Sequence, residues 1–217
     1  TAPRQRDLGL DLEGVRRMKV LCTTADHIPL MLEDGERAFA LFESAKREGI
    51  GTIAQKFRGH LKRRGFAPSA QAWDFVQFCL AVCAADLACP RNTSADGWTR
   101  TISLTVGLCE PLTWAPWKQH AEDMLKVLTG DYWTLHFVDG GAPPPKGKPK
   151  ALDHDCVSLL SGGLDSLIGG IDLVASNRRP MFVSQLAHED SQRQRNYATL
   201  LGAGATHRQW SHGISFS

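Results

Sequence analysis

No two cysteines in this chain form a Cys-x-x-Cys pair. The six stand scattered at positions 22, 79, 83, 89, 109 and 156. That spacing excludes a zinc ribbon, gives no disulfide framework and fits reduced, buried thiols in a cytoplasmic protein. Cys79 and Cys83 lie one helical turn apart, but two ligands do not make a metal site, so core packing is expected of them. Net charge is almost lacking: +2 over 217 residues does not by itself argue for nucleic acid. No signal-peptide pattern opens the sequence. The longest apolar stretch, Ala70 to Cys89, carries Asp74, Gln77 and Asp86, so no membrane span is expected.

What is present is an ordinary folded composition, 42% apolar, in a length that suits one large domain or two small ones. The first eighteen residues are charged and weakly patterned, either an ordered strap or a frayed end. Lys19 to Thr23 reads as a strand, ended by Ala25-Asp26-His27 and Pro29. Ala38, Phe39, Leu41, Phe42 and Ala45 fall at helical spacing, with Gly49 placed to stop the helix. Thr52 and Gln55 have capping-box spacing for a second helix that turns Ile53, Phe57 and Leu61 inward. Its other face carries Lys56, Arg58, Lys62, Arg63 and Arg64. With Lys46 and Arg47, these cations face one acid, Glu48. They form either a surface for nucleic acid, nucleotide or an acidic partner, or a solvated helix face.

Ala70 to Cys89 is apolar nearly all round and is expected at the centre of a domain. Asp96-Gly97 marks a turn. Residues 101–108 alternate as a half-buried strand. Pro116 opens a helix with Trp117, Ala121, Met124, Leu125 and Leu128 as its stripe and Gly130 at its end. Tyr132 to Val138 is another strand. Trp114, Trp117 and Trp133 are expected in the core rather than as a base-stacking platform. His120 and His136 have no visible metal or triad partner. Residues 139–150, rich in glycine, proline and lysine, read as a linker. The domain before it, 1–138, mixes strand and helix signals and is read as α+β.

After the linker, Cys156 to Leu160 is a short apolar strand and Leu167 to Ser176 a helix. Between them stands Ser161-Gly162-Gly163-Leu164-Asp165-Ser166. A strand, a glycine turn and a helix in that order make an anion-binding element. Backbone N–H groups converge in the turn, and the helix N-terminus adds partial positive charge. Side chains at Gly162 and Gly163 would block a ligand. Ser161 and Ser166 add hydroxyls. Asp165 repels phosphate unless a cation lies between them, which makes it a candidate for Mg²⁺ contact. No Gly-Lys-Ser/Thr follows, so the loop is not a Walker A loop.

All six positions resemble the Ser-Gly-Gly-x-Asp-Ser signature of the PP-loop ATP pyrophosphatases. The resemblance implies that Ser161, Gly162, Gly163, Leu164, Asp165 and Ser166 hold ATP. It also implies that Asp165 and Ser166 assist cleavage between the α- and β-phosphates, with AMP carried to a substrate oxygen. Met181 to Leu186 reads as the next strand, His188-Glu189-Asp190 as a turn, Ser191 to Leu201 as a helix and Ala205 to Trp210 as a third strand. The alternation makes 151–217 an α/β, parallel, doubly wound domain, and the PP-loop resemblance implies one of the adenine nucleotide α-hydrolase-like kind. Three strands are few for such a sheet, so incomplete coverage of that domain is expected.

Gln192-Arg193-Gln194-Arg195 is similar to the Gln-Arg-His-Arg of QueC-type synthases of 7-cyano-7-deazaguanine, with Gln194 in place of His; the alternative is two exposed arginines on a helix start. The residues ahead of the loop resemble the extension of QueC-like proteins from bacterial anti-phage systems, through Asp96 to Arg100 and Leu128 to Trp133. The resemblance implies ATP and Mg²⁺, a 7-deazaguanine carboxylate held by Gln192, Arg193 and Arg195, and adenylation of that carboxylate followed by amide formation. The acceptor is either ammonia or an amine of a small partner protein of the defence operon. No catalytic base is identifiable. Other readings are a tRNA-modifying PP-loop enzyme using the basic helix, an amidotransferase-type ligase, for which no glutaminase signature is seen, and a non-catalytic binding module.

Overall fold

A run that is apolar on both faces, Val20-Leu21-Cys22, makes strand β1 (Met18–Thr23) the middle of a parallel array. The computed structural model describes residues 17–44, 47–147, 153–186 and 190–216. In chain order there follow β2 (Glu36–Leu41), β3 (Ile50–Ile53), α1 (Phe57–Arg63), α2 (Ala70–Ala88), β4 (Thr101–Leu108), α3 (Pro111–Trp114), α4 (Lys118–Thr129) and β5 (Tyr132–Asp139). β1 to β5 pair in parallel in the order β5-β4-β1-β2-β3. A second unit holds β6 (Cys156–Leu159), α5 (Leu164–Ala175), β7 (Pro180–Gln185), α6 (Ser191–Leu200) and β8 (Arg208–Trp210). Its three strands also pair in parallel, β6-β7-β8. A last strand, β9 (Ile214–Ser215), crosses back and pairs antiparallel with β3. The protein is therefore α/β with mostly parallel sheets, and the α+β reading of 1–138 is corrected. Two β-strand connections there lack an α-helix, which is what made the element order look mixed.

The helix expected over 38–45 is strand β2. Phe39 and Leu41 belong to the main core while Ala38 and Ala40 belong to a smaller cluster with Leu21, Ile28 and Ile50. A strand buried on both faces loses its alternation, and its apolar run then imitates a helix. Ala45 and Lys46 lie outside the described residues. The capping box at Thr52 does not form: Ile50–Ile53 is a strand, Ala54 follows at φ 57, and the helix starts only at Phe57 without a side-chain cap.

The main core lies between the first sheet and α2. Ala81, Ala84, Ala85 and Ala88 form a buried small stripe at i, i+3, i+4, i+7. That stripe lets the helix approach the sheet closely. α2 is not buried all round, however. Phe75 and Leu87 are about half exposed, and Cys79 and Cys83 are exposed rather than core. The stripe expected on α4 is likewise partial: Leu125 is buried, while Trp117, Met124 and Leu128 are exposed. The tryptophans do not cluster as expected. Trp133 is core, and Trp114 stacks on Phe75 with centroids 6.2 Å apart.

The linker read over 139–150 begins as core. Ala142 is 1% exposed; its carbonyl accepts from Trp73 Nε1 at 2.7 Å and its N–H donates to Gln77 Oε1 at 2.6 Å. Glycine and proline mark the absence of helix and strand, not the absence of packing. Lys148 to Leu152, at the expected linker end and domain start, lie outside the described residues. The two units are also tied together at the far end. Trp210 meets Phe57 and Phe66 edge-on at 5.5 and 5.7 Å, Ala54 N–H donates to Gly213 O at 2.9 Å, and Phe216 meets Phe39 at 5.5 Å. Gly51 is required in this seam, since a Cβ there would lie 2.5 Å from the Phe39 ring. No helix among the described residues is long and apolar enough to cross a membrane.

Asp74 anchors the top of α2. It is fully buried and accepts from Cys109 N–H at 2.8 Å, Glu110 N–H at 2.9 Å and Gln77 Nε2 at 2.8 Å. Asp74→Ala takes the carboxylate partner from the part-buried amides of Cys109 and Glu110 and is expected to lower stability by about 2 kcal/mol. Asp123→Ala, on the exposed side of α4, is expected to change it by less than about 0.5 kcal/mol. Urea unfolding of both variants checks the difference.

Candidate functional site

Parallel sheets bind ligands at the carboxyl ends of their strands, where neighbouring crossovers diverge. In the first sheet that place lies between β1 and β4, and the chain itself closes it. Gly140 O accepts from Thr24 N–H at 2.9 Å, and Gly141 N–H donates to Leu108 O at 3.2 Å. A Cβ on Gly141 would lie 2.4 Å from Leu108 C, and one on Gly107 would lie 2.7 Å from Gly140 O. Glycine lets the strap lie directly on the strand end. A hollow of about 300 Å³ bordered by Arg17, Lys19, Asp34 and Arg37 lies at the opposite, amino-terminal end of β1 and β2.

The second sheet leaves its carboxyl ends open. Leu160 is fully buried, and its N–H donates to Val183 O at 2.8 Å, which fixes where the Ser161–Ser166 loop leaves β6. Gly162 turns at φ 95, a conformation that favours glycine. Gly163 is the N-cap at φ −83, which any residue adopts, so only Gly162 is conformationally required. α5 starts at Leu164, three residues earlier than expected, so Leu164, Asp165 and Ser166 form its first turn. Their N–H groups precede the first intrahelical bond, from Leu167 N–H to Gly163 O at 3.3 Å, and are free to meet an anion. Ser161 Oγ donates to Ser166 Oγ at 3.1 Å, and Ser166 Oγ lies 2.8 Å from Gly163 O. Asp165 is exposed on the same turn.

Gly162 abuts the start of α6: a Cβ there would sit 3.4 Å from Asp190 Cβ and from Gln194 Cγ. His188 and Glu189, expected in the preceding turn, lie outside the described residues. Gln194 is 2% exposed. Its Nε2 donates to Ser161 O at 3.1 Å and to Gln185 O at 3.0 Å, while Oε1 accepts from Gln209 Nε2 at 2.9 Å. One amide thus ties the loop, the end of β7 and β8 together. The sequence marks Gln194 only as a departure from a His pattern; its role as a positioning residue emerges from its burial. Gln192, Arg193 and Arg195 are exposed on the first turns of α6. Arg193 pairs with Asp190 at 3.3 Å. Arg195 donates to Gln209 Oε1 at 3.1 Å and to Gln192 Oε1 at 2.8 Å. Among the described residues neither arginine hydrogen-bonds to the loop.

A cleft of about 690 Å³ opens beside Ser161, between the second sheet and helices α1 and α2 of the first unit. No group of three or more metal-ligating side chains occurs among the described residues. A single carboxylate, Asp165, suits Mg²⁺, which takes the rest of its shell from phosphate oxygens and water. Searches of protein-family models, curated proteins and solved structures return no match to this chain.

Below the loop, Ser184 Oγ donates to Leu160 O at 2.5 Å and stands 2.8 Å from His207 Nε2. With its proton so used, Ser184 accepts from a neutral, Nε2-protonated His207. Burial lowers the His207 pKa below its ordinary 6.5, and Arg195 and Arg208 add to the shift. The unfolded chain therefore binds this proton first as pH falls. The stability tied to neutral His207 is complete well above pH 6.5 and declines as pH falls through 6.5 toward the lower folded value. In urea unfolding at stepped pH, His207→Gln is expected to flatten that slope.

Proposed function

We propose that the Ser161–Ser166 loop binds ATP with Mg²⁺ and that the protein activates a 7-deazaguanine carboxylate as its acyl-adenylate. The observation that supports this most is the loop's convergence. A left-handed glycine, two facing hydroxyls and a helix N-terminus meet at the carboxyl end of a parallel strand, beside an open cleft. The loop amides and Ser161 and Ser166 hold the β- and γ-phosphates as they become pyrophosphate. Asp165 is the residue that would hold Mg²⁺, which supplies charge neutralisation for the leaving group. Gln192, Arg193 and Arg195 border the acid, with an arginine suited to bidentate carboxylate contact once it leaves its present partner.

The carboxylate oxygen attacks the α-phosphorus. The bond from that phosphorus to the bridging oxygen breaks, and pyrophosphate leaves with the electron pair. An amine nitrogen then attacks the acyl carbon; the acyl C–O bond breaks, AMP departs with that electron pair, and the nitrogen releases a proton to solvent. The amine belongs to a small partner protein of an anti-phage system, held by the first unit. A groove of about 500 Å³ lined by Phe75, Trp114 and Trp117, with the Phe75 and Trp117 side chains exposed, supports docking there. Such docking raises the local concentration of the acceptor amine.

A second reading, RNA modification, is favoured by Lys56, Arg58, Lys62, Arg63 and Arg64. These cations take part in none of the ion pairs among the described residues. Steeply salt-dependent tRNA binding would favour it.

Asp165→Ala is expected to cut AMP formation by about a hundredfold or more with an unchanged circular dichroism spectrum. In the unmodified enzyme, intact-mass spectrometry of the partner should show the acid's mass less one water. Undiminished AMP formation in the variant contradicts the assignment. Free 7-cyano-7-deazaguanine beside an unmodified partner makes ammonia the acceptor.

A further inference from the structure

The cleft beside Ser161 has two kinds of wall. One side belongs to the second unit: Leu159, Leu160, Val183 and Gln185 from strand ends, with Trp210 closing it. The other side belongs to the first unit, where Phe57 of α1 and Cys79 and Leu80 of α2 face the same space. A volume of about 690 Å³ falls in the range that takes a nucleotide-sized molecule. Its lining is mostly apolar, with Phe57 and Trp210 as aromatic members, which suits a flat ring system. Polar side chains border it as well, among them Gln185, Asp190 and His212. The polar edge of a ring in the cleft could hydrogen-bond to one of them.

The two walls are held in register. Trp210 is wedged edge-on between Phe57 and Phe66, with interplanar angles of 84° and 88°. Directly beyond it, Ala54 N–H donates to Gly213 O, and β9 joins the first sheet beside β3. The first unit is thus fixed against the cleft and cannot be regarded as a remote appendage on a linker.

We infer that the first unit completes a subsite for a fused, purine-like ring, with Phe57 and the Cys79–Leu80 segment of α2 as substrate-contacting residues. The inference rests on the reading of the loop as an ATP site. It adds that the first unit, besides docking a partner, decides which ring fits. Two molecules carry such a ring in the proposed reaction, the adenine of ATP and the deazaguanine acid, and they are separated by experiment.

Cys79 is exposed on α2, so a tryptophan there fills the cleft without entering the core. Cys83 is exposed one turn further along and is not part of the lining. The unmodified chain, Cys79→Trp and Cys83→Trp are titrated by calorimetry with α,β-methylene-ATP, 7-carboxy-7-deazaguanine and pyrophosphate, each with Mg²⁺. Cys79→Trp is expected to weaken at least one ring-bearing ligand by about tenfold or more while pyrophosphate binds as before. The ligand that is lost identifies the occupant. Equal affinities in Cys79→Trp and the unmodified chain overturn the inference and leave the loop reading intact; so does an equal loss in Cys83→Trp. An unmodified chain that binds none of the three removes the loop reading, and this one with it.

Discussion

A carboxylate taken out of water must be met by donors, and on α2 Asp74 is met by three. Two are backbone amides just after β4 and the third is Gln77, which in turn accepts from Ala142, while Trp73 donates to the same residue's carbonyl. One helical turn therefore pins the chain after β4 and the chain after β5. With Ala142 held there, Gly140 and Gly141 lie across the end of β4. That strap closes the place where a sheet ordered β5-β4-β1-β2-β3 would receive a ligand. The second sheet, in contrast, leaves a cleft beside Ser161 at the carboxyl ends of its strands.

The same constraint connects the two units. The strap leads the chain off the first sheet along α1, where Pro143, Pro144 and Pro145 border Arg58 and Lys62. Trp210 at the end of β8 packs on Phe57, and the tail beyond it returns to β3. With both ends of the second unit's chain tied to the first, α2 forms a wall of the cleft beside the loop. Gln194 does for the loop what Gln77 does for the strap. Each is a buried amide whose two ends bridge segments far apart in sequence.

Parts of this were legible in the residues. The order strand, glycine turn and helix around Ser161 occurs as read, with the helix starting three residues earlier, since that signal is local: φ at Gly162 and the capping position are set by neighbours within a few residues. The extent of α2, the strands 101–108 and 132–138 and the Gly130 stop are visible for the same reason. β2 is misread because Ala38 to Leu41 is buried on both faces, so alternation is lost. Cys79, Cys83, Met124 and Leu128 are misplaced because apolar character does not say which side a helix turns to its sheet. The strap at 140–142 and the cleft walls depend on contacts between residues tens of positions apart, such as Trp73 with Ala142 and Phe57 with Trp210, which no window of sequence contains. Gln194 is a further case: an amide in place of an imidazole has meaning only once its three partners are known.

In the proposed reaction a carboxylate oxygen displaces pyrophosphate from the α-phosphorus of ATP at this loop. That step should be reversible before any amine is supplied. Radiolabelled pyrophosphate, incubated with the protein, unlabelled ATP and Mg²⁺, should enter ATP when 7-carboxy-7-deazaguanine is present and remain in pyrophosphate when it is absent. Label entering ATP at the same rate with and without the acid, or never entering it, would contradict the account.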